Sequence, residues 1–272
     1  MNNKPLYTPD LNPKPVESIW LRFLYGLGSE LYFAVRWLYL MLTLRKSFFA
    51  APEASVKKKR AVVFVYGLFG NQYQFVDYKN EITKHCPDID CYFYTYPHAR
   101  SLAEDSLDFK NYLLKNLSNY QEVVIVGHSR GGIIGYNALE AMHAQQLASQ
   151  YKLITLASPI HGSQLAYNFQ YVLHQKSYLW VPVQLFLKFI FWAAKTHQVY
   201  HDLSADLIPK DKDDRFVYHI EANYDLIIGS LDKQHIKEST ARTIINTSHP
   251  GLLFSKKAIN TVVNILHPEV PK

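Results

Sequence analysis

Apolar segments of two kinds alternate along the chain from about residue 61 onward. Short β-branched or aromatic runs, which are typical of buried strands, alternate with longer stretches whose apolar residues recur at helical spacing. The predicted strands are 61–65, 91–96, 123–126, 151–156, 216–220 and 243–245. The predicted helices are 74–85, 101–117 with a capping box at Ser101 and Glu104, 133–146, and about 255–266. This alternation predicts an α/β fold with a mostly parallel central sheet and helices on both of its faces.

The alternation is interrupted between residues 164 and 212. Within this interruption, residues 177–194 are strongly apolar, and Lys188 is their only charged residue. One interpretation is a lid that buries apolar substrate chains and excludes water. The other is a pair of helices that belongs to the core of the fold. The sequence leaves both interpretations open.

Residues 19–46 predict an amphipathic N-terminal helix. Arg22, Glu30 and Arg36 fall on one side of such a helix, and the remaining face is wide and rich in Leu, Phe, Tyr and Trp. This helix could pack against the rest of the chain or a second copy, lie on a membrane surface, or span the bilayer. The three charges count against spanning, and the basic residues of 45–60 would keep the remaining chain in the cytoplasm after insertion. Residues 1–15 are polar and proline-rich, and they do not predict a signal peptide.

The composition is that of a globular domain with insertions. The 272 residues are 48% hydrophobic and 14% aromatic, which suffices for a large core. The net charge is +6, but its charges are scattered except at 57–60, which we interpret as a solvated linker, and no nucleic-acid motif is present. Cys86 and Cys91 make no disulfide framework, so the sequence predicts a reduced, cytoplasmic setting. The alternative location, suggested by residues 19–46, is the inner face of a membrane, to which the protein would bind peripherally.

The most informative segment is 122–132, which reads EVVIVGHSRGG. A β-branched run leads into a sharp turn that carries one serine, and a helix follows. This pattern predicts a nucleophile elbow, in which Ser129 adopts a positive φ and stands above the edge of the sheet. Gly127 and Gly131 let the strand and the helix approach closely. The start of the helix also directs backbone N–H groups at a developing oxyanion.

A nucleophilic serine needs a base and an acid that orients the base. In an elbow-type hydrolase the chain order is serine, acid, histidine, with the acid just past a later strand. Asp225 meets this requirement because it follows the strand at 216–220 and precedes an apolar anchor at 226–228. The alternatives for the acid are Asp232 and Glu221.

The base is expected in a loop after the last strand. His249 lies among turn residues between the strand at 243–245 and the final helix. His235, which precedes the last strand, and His267, which follows the last helix, are placed less well. We therefore predict a Ser129–His249–Asp225 triad in which the carboxylate fixes the tautomer of the imidazole.

An oxyanion hole requires two backbone donors. The first is the N–H of Arg130, directly after the nucleophile. The second is expected from the loop 66–70, YGLFG, where glycines let the chain fold back toward the serine. Leu68 is the predicted donor, and Phe69 is the alternative.

These segments together resemble the lipase-like branch of the α/β-hydrolases, which includes bacterial triacylglycerol lipases and the GPI-inositol-deacylase-like group. Residues 66–70 look like the family's His-Gly-x-x-Gly loop, 127–132 like its elbow, and 156–163 like its Gly-Thr-Pro-His-x-Gly-Ser segment. The tail around Ser248 and His249 completes the resemblance, which covers about 61–272. It implies the α/β-hydrolase fold over 56–272, with a lid-like insertion at about 164–212 and residues 1–55 as an extension.

Two departures from the family pattern matter. Tyr66 replaces the loop histidine, which leaves the backbone donor intact but changes how the loop is held. Ile160 and His161 shift the segment after Pro159 by one position, so His161 is better interpreted as structural or pocket-lining than as catalytic.

The predicted activity is hydrolysis of carboxylic esters through an acyl-enzyme, with lipid or long-acyl esters favoured by the apolar insertion and the amphipathic N-terminus. No metal or cofactor is implied, because the sequence has no H-E-x-x-H, no P-loop and no G-x-G-x-x-G after a strand. A thioesterase, amidase or acyltransferase could use the same triad. A non-catalytic scaffold or membrane tether with a hydrolase fold is the other alternative. Oligomeric state does not follow from the sequence.

Overall fold

The computed structural model describes residues 28, 31–32, 35–36, 38–40, 42–44, 46–50, 52, 58–68, 70–97, 100–160, 216–225 and 241–267. Some predictions from the sequence concern residues outside these described ranges. They are the interruption at 164–212 and the residues Phe69, His161, Asp232 and His235.

A six-stranded sheet forms the centre of the described chain. Its strands are β1 (Arg60–Val65), β2 (Ile89–Tyr94), β3 (Glu122–His128), β4 (Tyr151–Leu156), β5 (Val217–Ala222) and β6 (Arg242–Ile245). They lie in the order β2-β1-β3-β4-β5-β6, and every neighbouring pair is parallel. All carboxyl ends therefore meet at one edge of the sheet, where ligand and catalytic sites of open α/β sheets form.

In the part of the chain that the structure describes, four α-helices pack around the sheet: α1 (Val76–His85), α2 (Leu102–Asn116), α3 (Arg130–Ala144) and α4 (Lys256–Leu266). Short 3-10 helices span Lys46–Phe49, Gln72–Phe75 and Pro250–Leu253. Helix α1 packs against α4, and α2 packs against α3. The predicted capping box is confirmed, since Ser101 Oγ accepts from the Glu104 N–H while the Glu104 carboxylate accepts from the Ser101 N–H.

The core lies around the two central strands. Ala61 to Val65 on β1 and Val123 to Val126 on β3 are all at most 4% exposed, as expected for strands covered on both faces. The α/β architecture with a parallel central sheet that the sequence predicts is thereby confirmed.

One predicted strand was misplaced. The sequence places the second strand at 91–96, whereas β2 runs from Ile89 to Tyr94. The aromatic run continues beyond the strand because Tyr96 leaves the ladder, and its backbone N–H donates to the hydroxyl of Tyr66 instead. A side-chain partner has replaced a strand partner, which alternation of residue types cannot reveal.

The N-terminal segment packs on the body of the chain. Its described residues between 28 and 43 are helical. Arg36 forms an ion pair of 2.6 Å with Asp77 on α1, and the Tyr32 ring meets Phe254 edge-to-face at a centroid distance of 4.9 Å. Among the described residues, no helix is both long and apolar enough to cross a membrane.

The basic run at 57–60 is partly paired rather than wholly solvated. Arg60 bonds Glu122 at 2.8 Å and Asp88 at 3.2 Å, and Lys58 lies 3.8 Å from Asp90. These pairs lie at the amino ends of the strands, opposite the predicted site. They anchor the start of the sheet, so two of the four cations have a structural role.

Candidate active site

Ser129 occupies the turn between β3 and α3. Its φ of 52° and ψ of −124° are the positive-φ conformation predicted for the elbow. Two backbone bonds fix this conformation: the Ser129 N–H donates to Leu156 O at 2.9 Å, and the Gly132 N–H donates to Ser129 O at 3.0 Å. Such a conformation costs of order 1–3 kcal/mol, so the surrounding structure must hold it.

The elbow glycines are needed because backbone segments approach too closely for a side chain. A methyl group built on Gly127 would lie 2.5 Å from Gly132 Cα, and one on Gly131 would lie 2.1 Å from Val65 O. Strand β3, strand β1 and helix α3 therefore meet in backbone contact at this point. The close approach predicted from the sequence is confirmed.

His249 and Asp225 form a buried pair. His249 Nδ1 lies 2.7 Å from Asp225 Oδ2, and their side chains are 6% and 4% exposed. This spacing suits an Nδ1–H that donates to the carboxylate, which leaves Nε2 as the basic nitrogen. A carboxylate held against an imidazole in this way stabilises the imidazolium that forms when the base takes a proton.

The loops that carry this pair are tied together by their backbones. The Asn223 N–H donates to Ile245 O at 2.8 Å, and the Tyr224 N–H donates to Thr247 O at 3.0 Å. Two successive residues after β5 therefore bond backbone carbonyls at the end of β6 and in the loop that follows it. This pairing brings Asp225 and His249 to the same place, although 24 positions separate them.

Ser129 and His249 are not joined by a hydrogen bond. In the part of the chain that the structure describes, no hydrogen bond links Ser129 Oγ to the His249 ring. The neighbouring His128 ring lies 4.7 Å from the His249 ring, centroid to centroid. Contacts of this kind are often long without substrate and shorten in the reacting complex.

The predicted oxyanion loop lies directly beside Ser129. A methyl group on Gly67 would stand 2.9 Å from Ser129 Cβ, so the loop backbone passes against the serine. The Gly70 N–H donates to Gly67 O at 3.1 Å and closes a tight turn around Leu68. Arg130 begins α3 on the other side of the serine.

Sequence reasoning missed His128. Its ring is 4% exposed, and its Nε2 lies 3.3 Å from the backbone carbonyl of His249. Burial, together with the nearby His249, lowers the pKa of His128 well below its usual 6.5, so this ring is neutral. A neutral Nε2–H can donate to the carbonyl and hold the His249 loop. The position of His128, directly before the elbow serine, is the sequence signal that could have identified it.

The Arg130 side chain was also overlooked. It is 7% exposed, and its Nη1 donates to Asp105 Oδ2 at 2.7 Å while Nη2 donates to Arg100 O at 3.0 Å. Burial raises the pKa of Asp105, an effect that the bond to Arg130 opposes. The pair is internal, so Arg130 is not a free cation at the site.

The rival residues have other surroundings. Glu221 lies on β5 and sits 3.9 Å from Arg242, and His267 is exposed beyond the end of α4. Cys86 and Cys91 are buried free thiols, and burial raises the pKa of Cys91 to about 11, so this thiol is unreactive at neutral pH.

Comparison with solved structures places the fold among α/β-hydrolases. The RedJ thioesterase of the prodiginine pathway in Streptomyces coelicolor aligns at 13% identity with a TM-score of 0.52, covering 81% of this chain and 94% of that chain. The type II thioesterase BorB from the borrelidin cluster aligns at 10% identity and 0.54, covering 83% and 97%. The monoacylglycerol lipase of Paleococcus ferrophilus aligns at 13% identity and 0.52, covering 76% and 93%.

Sequence comparison gives the family. No curated protein matches the chain in sequence. Residues 55–191, about half of the chain, match a family model described as "Putative serine esterase (DUF676)". The match includes the predicted oxyanion loop, the elbow and the segment after β4. The chain therefore belongs to the DUF676 family of serine esterases.

Proposed function

We propose that this esterase hydrolyses carboxylic esters through the triad Ser129–His249–Asp225. Ser129 Oγ attacks the ester carbonyl while His249 Nε2 takes its proton. The oxyanion accepts hydrogen bonds from the backbone N–H groups of Arg130 and Leu68. Collapse expels the alcohol, which takes the proton from His249. Water, deprotonated by His249, then releases the carboxylic acid and restores Ser129.

One observation carries this proposal. A buried histidine–carboxylate pair at 2.7 Å lies at the carboxyl edge of the sheet that also holds a strained serine. A purely structural role requires neither the positive φ at Ser129 nor an acidic partner for His249.

Kinetics of conservative variants test the triad. We expect Asp225→Asn to lower kcat for p-nitrophenyl ester hydrolysis by about 10⁴-fold, because the imidazole loses its oriented tautomer. Glu221→Gln, a carboxylate change on β5, the strand that Asp225 follows, is the matched control and is expected to retain activity. Comparable activity in both variants would remove Asp225 from the mechanism.

We propose lipid or long-acyl esters as the substrate class. The apolar sequence at 177–194 and the exposed apolar N-terminal helix support this class. The structural similarity to thioesterases favours acyl thioesters as the second candidate. A series of p-nitrophenyl esters and acyl-CoAs of increasing chain length distinguishes them, and a preference for short soluble esters would contradict the lipid proposal.

We also propose that the N-terminal helix contacts a membrane surface. With Arg36 paired to Asp77, the opposite side carries Leu31, Val35, Leu38 and Leu42, which are 54–78% exposed. These four follow helical spacing and form one outward stripe about 16 Å long. An amphipathic helix with such a stripe lies in the interfacial region of a bilayer. Residues 1–55 then act as a peripheral anchor on a cytoplasmic hydrolase domain at 56–272.

Liposome flotation tests this surface. Replacing Leu31, Leu38 and Leu42 with serine is expected to abolish flotation of the full chain with phosphatidylcholine–phosphatidylglycerol vesicles while leaving soluble-ester hydrolysis intact. Leu107→Ser, at a residue 54% exposed on α2, is the control for a single exposed leucine elsewhere. Equal flotation of the triple variant and the wild type would exclude the stripe as the contact.

A further inference from the structure

Two tyrosines on adjacent loops form a closed set of hydrogen bonds beside the oxyanion loop. The Tyr66 hydroxyl donates to Tyr96 O at 2.7 Å and accepts from the Tyr96 N–H at 2.9 Å. In return, the Tyr96 hydroxyl donates to Tyr66 O at 2.8 Å. The rings stack at 4.6 Å with an angle of 14°, and each residue is 5% exposed. We call this arrangement the tyrosine clamp.

The clamp holds the backbone at the root of the oxyanion loop. Tyr66 immediately precedes Gly67 and Leu68, and its carbonyl is the group that the Tyr96 hydroxyl binds. The same carbonyl packs on the start of α3, since a methyl group on Gly131 would lie 2.4 Å from it. The peptide that leads into the loop is therefore fixed on two sides, by a hydroxyl and by the elbow helix.

The clamp also reaches Arg130, whose backbone N–H is the other proposed oxyanion donor. The Arg130 guanidinium carbon lies 5.2 Å from the centroid of the Tyr96 ring, and the Asp105 carboxylate holds that guanidinium from α2. Tyr96 thus contacts the residue whose N–H is one donor and binds the peptide that leads to the other. The strength of a hydrogen bond to an oxyanion depends steeply on the position of the donor. Because Tyr96 contacts Arg130 and binds the peptide that leads to Leu68, it sets the distance between the two N–H groups.

We infer that Tyr66 and Tyr96 are positioning residues for the oxyanion hole. The inference rests on the proposed function, because it assigns the clamp to the N–H groups of Leu68 and Arg130. It also explains the departure at position 66, where the family pattern has a histidine. In this chain a tyrosine makes the loop contacts through its own hydroxyl.

The test compares Tyr96→Phe with Tyr92→Phe. Both variants remove one buried tyrosine hydroxyl. Tyr92 lies on β2, and its hydroxyl is 2.6 Å from the hydroxyl of Tyr120. Neither of these hydroxyls belongs to the clamp. We expect Tyr96→Phe to lower kcat for p-nitrophenyl ester hydrolysis about tenfold with KM changed less than twofold. An alkylboronic acid, whose tetrahedral adduct fills the oxyanion hole, is expected to bind about tenfold more weakly. Tyr92→Phe is expected to leave both quantities near wild type.

Thermal unfolding of each variant separates positioning from stability, and Tyr66→Phe provides a second route if Tyr96→Phe folds poorly. The double variant is expected to lose little more than either single variant, because both hydroxyls act through one clamp. An active wild type whose Tyr96→Phe and Tyr66→Phe variants match Tyr92→Phe in kcat and boronate affinity overturns the inference alone. A folded wild type that hydrolyses no ester overturns the proposed function and the clamp together.

Discussion

Two of the three non-glycine residues with positive φ in the described part of the chain lie at the carboxyl edge of the sheet, and the third, Gln146, follows α3. Ser129 and Ala157, which follow the neighbouring strands β3 and β4, have φ values of 52° and 45°. Each is held by a bond to the next strand: Ser129 N–H donates to Leu156 O at 2.9 Å and Ala157 N–H to Ile220 O at 2.8 Å. Non-glycine residues in this region are unfavourable by themselves, and they concentrate where function requires them. The strain thus marks the same edge as the buried His249–Asp225 pair.

Buried histidine at the site makes the fold sensitive to acid. The pKa of His128 is lowered in the folded state by burial and by His249. As the pH falls, this histidine is therefore protonated in the unfolded chain at a higher pH than in the folded chain. Stability from this residue is complete above about pH 6.5 and is lost as the pH falls below that value.

We therefore expect His128→Gln, which keeps a donor for the His249 carbonyl, to flatten the pH dependence of stability. Below pH 6.5 the slope of the unfolding free energy should fall by at most about 1.4 kcal/mol per pH unit, the value for one proton. Urea unfolding between pH 5 and 8 measures it. His267→Gln, at an exposed position, is the control. Identical slopes for His128→Gln and the wild type would contradict the account of a neutral buried ring.

At the scale of elements, most of the fold follows from the sequence. The run at 151–156 coincides with β4, and the final helix differs from α4 by one residue at its start. These segments have strong periodicity and clear caps, so local pattern and tertiary structure agree. The elbow was predictable for the same reason. Its glycines are required by a local steric constraint.

Other features depend on contacts between distant segments, which a single sequence does not display. The end of β2 is set by the hydroxyl of Tyr66, 30 positions before Tyr96. The ion pair of Arg36 with Asp77 spans 41 positions and decides which face of the N-terminal helix is covered. Periodicity predicts that a helix is amphipathic, but both of its faces remain candidates until a partner is known.

The close backbone packing at the elbow predicts how a substitution there changes stability. Gly131→Ala should lower the free energy of unfolding by about 3 kcal/mol, because the added methyl group would meet backbone oxygens of Val65 and Tyr66 that cannot move independently. Gly135→Ala, on the same helix, is the matched control, since its nearest neighbours are side-chain atoms of Leu153 at 3.0 Å and Ile125 at 3.1 Å. Urea unfolding compares the two, and equal losses would argue against a backbone clash at the elbow.

At the scale of the whole molecule, the sheet order explains how distant residues converge. The proposed oxyanion loop follows β1, the proposed nucleophile Ser129 follows β3, and Asp225 and His249 follow β5 and β6. Parallel pairing brings all these strand ends to one edge, while the ion pairs of Arg60 hold the opposite edge. The N-terminal helix reaches the same region through Phe254, five positions after His249. A membrane contact by that helix would therefore lie near the loop that carries the proposed base.

The proposed mechanism requires Ser129 to be an activated nucleophile. Labelling the folded 272-residue chain with a fluorophosphonate, and locating the adduct by mass spectrometry, tests this requirement, because only a serine with a working base and oxyanion hole reacts readily. We predict one adduct on Ser129 in the wild type and none in Ser129→Ala. Absence of labelling in the folded wild type, or an adduct that persists in Ser129→Ala, would contradict the assignment.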